Sequence, residues 1–366
     1  MKKICCMAIG TFLVAFLLTL KVEAAPLGLP EVVIPQDNPQ TVDKVRLGEK
    51  LFFDKRFSAD GTVSCATCHD PAKAFSDGLP VAVGIKKLKG TRNSPTVLNA
   101  VYYTSQFWDG RVKTLEEQAK APFINPVEHG LKNHDPIMKV IRADSEYVVQ
   151  FKQVFGVSGE QITIDHVVKA IAAFERTLVS GNSPFDRYMY GGDKTAMSEA
   201  AIRGLEIYRT KARCQDCHTI GQTSATFTDN KFHNLGVGFS AIEPNLFEIV
   251  EKFKKAKESG QDIDESVLTD KEASELGRFA VTLDVEDLGR FKTPTLRNVA
   301  LTGPYMHDGS LKTLEEVIEL YDQGGEENPM LDSGIRPLRL TDQEKADLLE
   351  FLKALTSPEV AAKMKK

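Results

Sequence analysis

The chain has 366 residues, of which 42% are hydrophobic and 27% charged, and its formal net charge is −5. That length accommodates two domains, each with its own core, and the composition is that of an ordinary globular protein. The mildly acidic balance excludes nucleic acid as a partner and gives no attraction to an acidic membrane surface.

Lys2 and Lys3 precede an apolar run over 4–20, and Val22-Glu23-Ala24 followed by Ala25 supplies a small-residue cleavage site. This pattern predicts a signal peptide over 1–24, cleaved after Ala24; the length of the run leaves an uncleaved anchor as the alternative. Cys5 and Cys6 leave with that segment. The next periodic stretch, Val42–Phe53, predicts a helix with Val45, Leu47, Leu51 and Phe52 on one apolar face. It leads into Cys65-Ala66-Thr67-Cys68-His69, which has a counterpart in Cys214-Gln215-Asp216-Cys217-His218.

Both are C-x-x-C-H haem-attachment motifs: two thiols spaced to form thioethers with the haem vinyl groups, and a histidine placed to ligate the iron. A zinc half-site or a thioredoxin-like redox pair does not need the abutting histidine. The four cysteines remaining after export all lie in these motifs, so none is left for a disulfide. Two covalently bound c-type haems are therefore expected. Because such haems are attached outside the cytoplasm, the expected location is the periplasm.

An internal repeat organises the rest. Residues 95–118 align without a gap onto 294–317 at an offset of 199, with 10 of 24 positions identical, including Asp109-Gly110 with Asp308-Gly309 and the block 113–117 with 312–316. Leu47-Gly48 before the first motif matches Arg203-Gly204 before the second. Haem histidine and repeat proline are 26 residues apart in the first copy and 76 in the second. The extra length holds a helix-like segment over 245–257 and a charged stretch over 258–275 that reads as a surface insertion. Further helices are expected over 162–179, 199–208 and 340–355, the last capped by Thr341, with a polar tail from Pro358. The fold class is mostly α: two duplicated cytochrome-c-like haem domains packed together, over 25–180 and 181–366.

Chemistry is expected where the copies diverge. Trp108 stands where the second copy has His307, Gln118 where it has Val317, and Pro122 where it has Tyr321. Tyr321 shares a helical stripe with Leu314, Val317 and Ile318, so it is either a core aromatic or the second ligand of the His218 haem. Proline cannot ligate iron, which leaves the His69 haem with an open face. Splitting a peroxide O–O bond requires a group that takes a proton from one oxygen and delivers it to the other. Glu128 is the candidate, with Gln118 as an orienting amide.

The two C-x-x-C-H motifs, RNSPTVLNA, QFWDGR, EEQAKAPFINPVE, KFHNLG, FKTPTLRNVALTGPYMHDGS and ELYDQGG occur in this order over 42–356. In this set the chain resembles the bacterial di-haem cytochrome c peroxidases and the related MauG proteins. The resemblance implies that Glu128 and Gln118 are peroxide-site residues beside the first haem and that Trp108 relays electrons between the haems. It also implies a calcium ion held by the Asn93 side chain and the carbonyls of Thr302 and Pro304.

Two departures from the peroxidase pattern favour the MauG variant. Residues 70–128 contain no histidine, and Ile85, Lys86 and Lys87 occupy the loop in which the peroxidases carry a capping one. Tyr321 stands where they have a methionine ligand; Met306, one loop earlier, is the competing ligand. Among the other histidines, His233 and His307 fall outside the family's ligand positions, and His129, His134 and His166 read as surface or locally bonded residues. The implied activity is an oxidoreductase that reduces hydrogen peroxide with electrons from a small c-type cytochrome or a cupredoxin. The alternative is a MauG-like enzyme that oxidises a side chain of a partner protein. A plain di-haem electron carrier needs neither an uncapped haem nor Glu128. A homodimer is compatible with the sequence.

Overall fold

Two glycines explain how the helices cross. Gly48 lies on Val42–Phe53, where a Cβ would run into the carbonyl of Ala170 on Ile164–Glu175. Gly204, its repeat partner on Glu199–Arg209, faces the carbonyl of Asp347 on Asp342–Lys353 in the same way. Without a side chain at these points each helix pair approaches backbone to backbone, and Phe52 with Phe174, and Tyr208 with Phe351, pack beside the crossing.

The computed structural model describes residues 25–364; the signal peptide expected over 1–24 lies outside the described residues. The fold is mostly helical, and the one small sheet among the described residues pairs Phe232–His233 antiparallel with Phe291–Lys292. One hydrophobic cluster surrounds the first crossing, a second surrounds the other, and a third is built by Phe239–Leu288.

The duplication extends to backbone detail. Asn99 and Asn298 have φ of 63° and 60°, and Phe107 and Met306 of 66° and 72°. Bridges pair Gln106 with Val112 and Tyr305 with Leu311. Thr114 and Glu117 form a capping box on Leu115–Ile124, as Thr313 and Glu316 do on Leu314–Gln323.

The expected helices form with shifted ends. The 162–179 helix is Ile164–Glu175 because Thr163 is its N-cap, and the 340–355 helix is Asp342–Lys353, with Thr341 as the cap expected. The other two are Glu199–Arg209 and Leu246–Glu258. Two expectations are corrected. The 258–275 stretch is not a surface insertion: it folds into Ile263–Thr269 and Lys271–Glu275, capped by Asp262 and Asp270, and buries Val267, Ala273, Ser274 and Glu275. The final segment is not a mere polar tail, since Pro358–Met364 inserts Val360 into the first cluster. Conversely, Leu27 and Gly28 bond to the 180s and to Ala225 and Arg297, so the two ends of the chain cross over.

Candidate functional site: two cavities sharing a wall

Each C-x-x-C-H motif opens onto its own cavity. Cys65, Cys68 and His69 line one of about 130 Å³, and Cys214, Cys217 and His218 one of about 260 Å³. All four cysteines are unpaired. His218 Nδ1 lies 3.0 Å from the carbonyl of Phe227 and 3.1 Å from that of Pro294, a pairing in which Nδ1–H donates and Nε2 is left for a metal. Tyr208 donates its hydroxyl to the His218 carbonyl and so fixes the backbone. His69 faces the carbonyls of Phe75 and Pro95, the latter the repeat equivalent of Pro294, but its Nδ1 stays outside hydrogen-bonding geometry. Burial lowers the pKa of both imidazoles, His69 to about 4, so both are neutral at pH 7, the form that ligates iron. Two thiols and a neutral imidazole on each cavity wall fit a covalently attached haem.

The first cavity also gathers Gln118, Pro122 and Glu128. Gln118 and Pro122 come from Leu115–Ile124, and Glu128 from the loop after it, whose backbone is pinned by Asn125. The Ile85 N–H donates to the carbonyls of Val127 and Glu128, and Gly84 permits the close approach. Ile85 is buried under this loop while Lys86 and Lys87 are exposed, so the segment supports Glu128 from outside and presents no ligand to the cavity. No hydrogen bond joins Gln118 to Glu128 among the described residues. Burial raises the Glu128 pKa to about 7; Arg111 opposes the rise and Asp264 adds to it.

Arg111 and Asp264 belong to a buried network absent from the sequence reading. Arg111 pairs with Asp264 and with Asp109, and Arg92 reaches Asp109 at 2.6 Å and Ser274 at 2.9 Å and 3.1 Å. The two guanidiniums hold the Asp109 pKa at about 2 against its burial. QFWDGR and RNSPT contain these arginines and Asp109, but Asp264 and Ser274 lie in the 258–275 stretch, which carried no motif. Glu175 was missed as well: it lines the first cavity, burial raises its pKa to about 8, and its Oε2 has no partner.

In the second cavity Tyr321 and Met306 are both wall residues. The Tyr321 phenol is held well above its ordinary pKa by burial. His233 is flanked by Asp332 at 2.6 Å and Asp229 at 3.0 Å, so both ring nitrogens are taken. His307 places Nε2 at 2.7 Å from Glu275 and stacks on Phe291 at 3.6 Å. His129, expected at the surface or locally bonded, is buried, with Nδ1 at 2.9 Å from the carbonyl of the distant Phe57. His166 makes the local bond expected, accepting from the Thr163 N–H, and His134 Nε2 lies 3.3 Å from the Lys120 carbonyl.

Trp108 lines both cavities, and its indole N–H donates to the Asn93 carbonyl at 2.9 Å. Asn93, Thr302 and Pro304 are brought to the wall of the second cavity, and Asn93 Nδ2 donates to Leu79, leaving Oδ1 as its acceptor.

Residues 42–195 match the family model described as di-haem cytochrome c peroxidase. The chain is 40% identical to the cytochrome-c peroxidase IdrP1 of Denitromonas iodatirespirans over 91% of this chain and 87% of that one. It is 38% identical to the methylamine utilization protein MauG of Methylorubrum extorquens, over 89% and 82%. Among solved structures, a MauG-like protein associated with microbial copper homeostasis superposes with a TM-score of 0.77 at 33% identity, covering 93% of this chain and 98% of that one.

Proposed function

The chain belongs to the di-haem cytochrome c peroxidase family, and we propose that it reduces hydrogen peroxide at the first cavity with electrons delivered by a small c-type cytochrome or a cupredoxin. The observation that carries this reading is the Glu128 carboxyl, poised at about pH 7 on the cavity wall that holds the first haem motif.

When bound, each haem supplies an iron centre able to take up and pass on oxidising equivalents. His69 would hold the first iron and His218 the second, with thioethers at Cys65, Cys68, Cys214 and Cys217. Tyr321 is the second ligand in this reading, with Met306 as the competitor on the same wall. Pro122 leaves the first cavity free for peroxide. Glu128, close to half ionised at neutral pH, accepts the proton of the near peroxide oxygen and returns it to the departing one, while Gln118 donates its amide to the same space. Trp108, common to both cavities, carries electrons between them. Calcium at Asn93 Oδ1 and the carbonyls of Thr302 and Pro304 would tie the repeats 25–180 and 181–366 together. The enzyme would be exported to the periplasm by residues 1–24, alone or as a homodimer.

The second reading, a MauG-like oxidase acting on a partner protein's side chain, is favoured by Tyr321 and by the 85–87 loop, which offers no histidine to cap the first haem. Peroxide turnover with a reduced small cytochrome separates the two: rapid oxidation supports the peroxidase, and negligible turnover supports the MauG-like role. Glu128→Gln, with haem content unchanged, should lower peroxide reduction by about 10²–10⁴-fold. Full activity in that variant would remove Glu128 from the mechanism.

A further inference from the structure

The wall between the two cavities contains a charge that none of the preceding chemistry uses. Lys292 lies on the short strand Phe291–Lys292, where its backbone N–H donates to the Trp108 carbonyl at 2.7 Å. Its side chain is buried, with 6% exposure, and lines both cavities. The Nζ has no carboxylate and no hydrogen-bond acceptor among the described residues; its close neighbour is the face of Tyr103, 3.3 Å from the ring centroid. Tyr103 also lines both cavities, and its hydroxyl accepts the Thr295 N–H at 2.8 Å.

A buried ammonium without an anion is costly, and an aromatic face offsets only part of that cost. The other buried cations nearby are paired: Arg92 with Asp109, Arg111 with Asp109 and Asp264, and Arg297 with Asp186. Lys292 alone of these has only burial acting on it, which lowers its pKa to about 7. The anion it lacks is one that occupancy of the cavities brings. Every haem carries two propionate carboxylates, and Lys292 is a buried cation on the wall of both cavities that would hold one.

We propose that Lys292 is a carboxylate-binding residue between the two haem sites, its ammonium pairing with a haem propionate and positioning that haem edge against Trp108. Held in its charged form by that carboxylate, the ammonium stabilises the reduced iron and raises the haem's reduction potential. This rests on the di-haem reading but not on peroxide chemistry, since Lys292 is given the role of holding and tuning a haem and no part in proton transfer.

The test is a potentiometric titration of the holo-protein without peroxide. In Lys292→Met the one-electron reduction equilibrium of at least one haem should fall about tenfold, ~59 mV, and Lys292→Arg should recover most of the shift. Two unchanged midpoints in Lys292→Met, with both haems retained, would overturn the assignment. Should that variant fail to retain its haems, the crystal structure of the wild-type holo-protein decides. Nζ at about 2.7–2.9 Å from a propionate oxygen supports the pairing, and Nζ without a carboxylate neighbour overturns it. Since neither readout uses turnover, a failed peroxidase assay bears on the proposed function alone.

Discussion

The two copies of the repeat share a backbone and differ in what they put on it. Both have a glycine at the helix crossing, a Thr–Glu capping box, an Asp-Gly loop and a left-handed residue at Phe107 or Met306. Yet Arg92, Trp108, Arg111 and Pro122 of the first copy correspond to Phe291, His307, Ser310 and Tyr321 of the second. The first cavity thus acquires a raised-pKa carboxyl under a buried ion network, and the second a buried phenol where the first has proline. A duplicated scaffold can keep its packing and assign different chemistry through a few wall positions, because the residues that set the helix crossing are not those that face the cavity.

The largest expected effect tests whether the second copy depends on its own buried charge. Leu98 of the first copy is replaced by Arg297, which is bidentate to Asp186 at 2.9 Å with both side chains buried. Arg297→Met leaves Asp186 unpaired and should cost about 3–5 kcal/mol; Leu98→Met should cost less than about 1.5 kcal/mol. Denaturant titration of the holo-proteins measures both, and equal losses would break the asymmetry.

The crossing glycines should behave alike. Gly48→Ala and Gly204→Ala each push a methyl into a carbonyl across the crossing, at about 1–3 kcal/mol, and tolerance of one but not the other would show that the shared backbone is not equally strained. The smallest effect concerns the network that only the first copy has. Arg111 stabilises the ionised form of Glu128, so Arg111→Met raises that pKa above about 7. If the ionised carboxylate is the base, activity is lost as pH falls through the pKa, and the acid limb of kcat/KM should move up by roughly one pH unit, ~1.4 kcal/mol. An unmoved limb would separate Arg111 from Glu128.

The haem motifs, the repeat and the capped helices were legible because each is local: a five-residue motif, an ungapped offset, or a Thr three residues before a Glu carries its own signal. What escaped was long-range. The 258–275 stretch reads as charged surface, since its acidic residues include the helix caps Asp262 and Asp270; its partners Arg92 and Arg111 lie more than 150 residues earlier. Lys292 escaped because a two-residue strand has no periodicity to detect. His129 looked peripheral because nothing in its neighbourhood announces that it is enclosed by Phe57 and Phe123.

The central claim, that one haem site is open and its duplicate closed, is tested most directly by the electron paramagnetic resonance spectrum of the resting, fully oxidised holo-protein. The account predicts two ferric signals in equal amounts, one high-spin from the His69 site and one low-spin from the His218 site, with the low-spin signal altered in Tyr321→Phe. Two low-spin signals in the wild-type protein would mean that the first site is closed by a protein ligand and would contradict it.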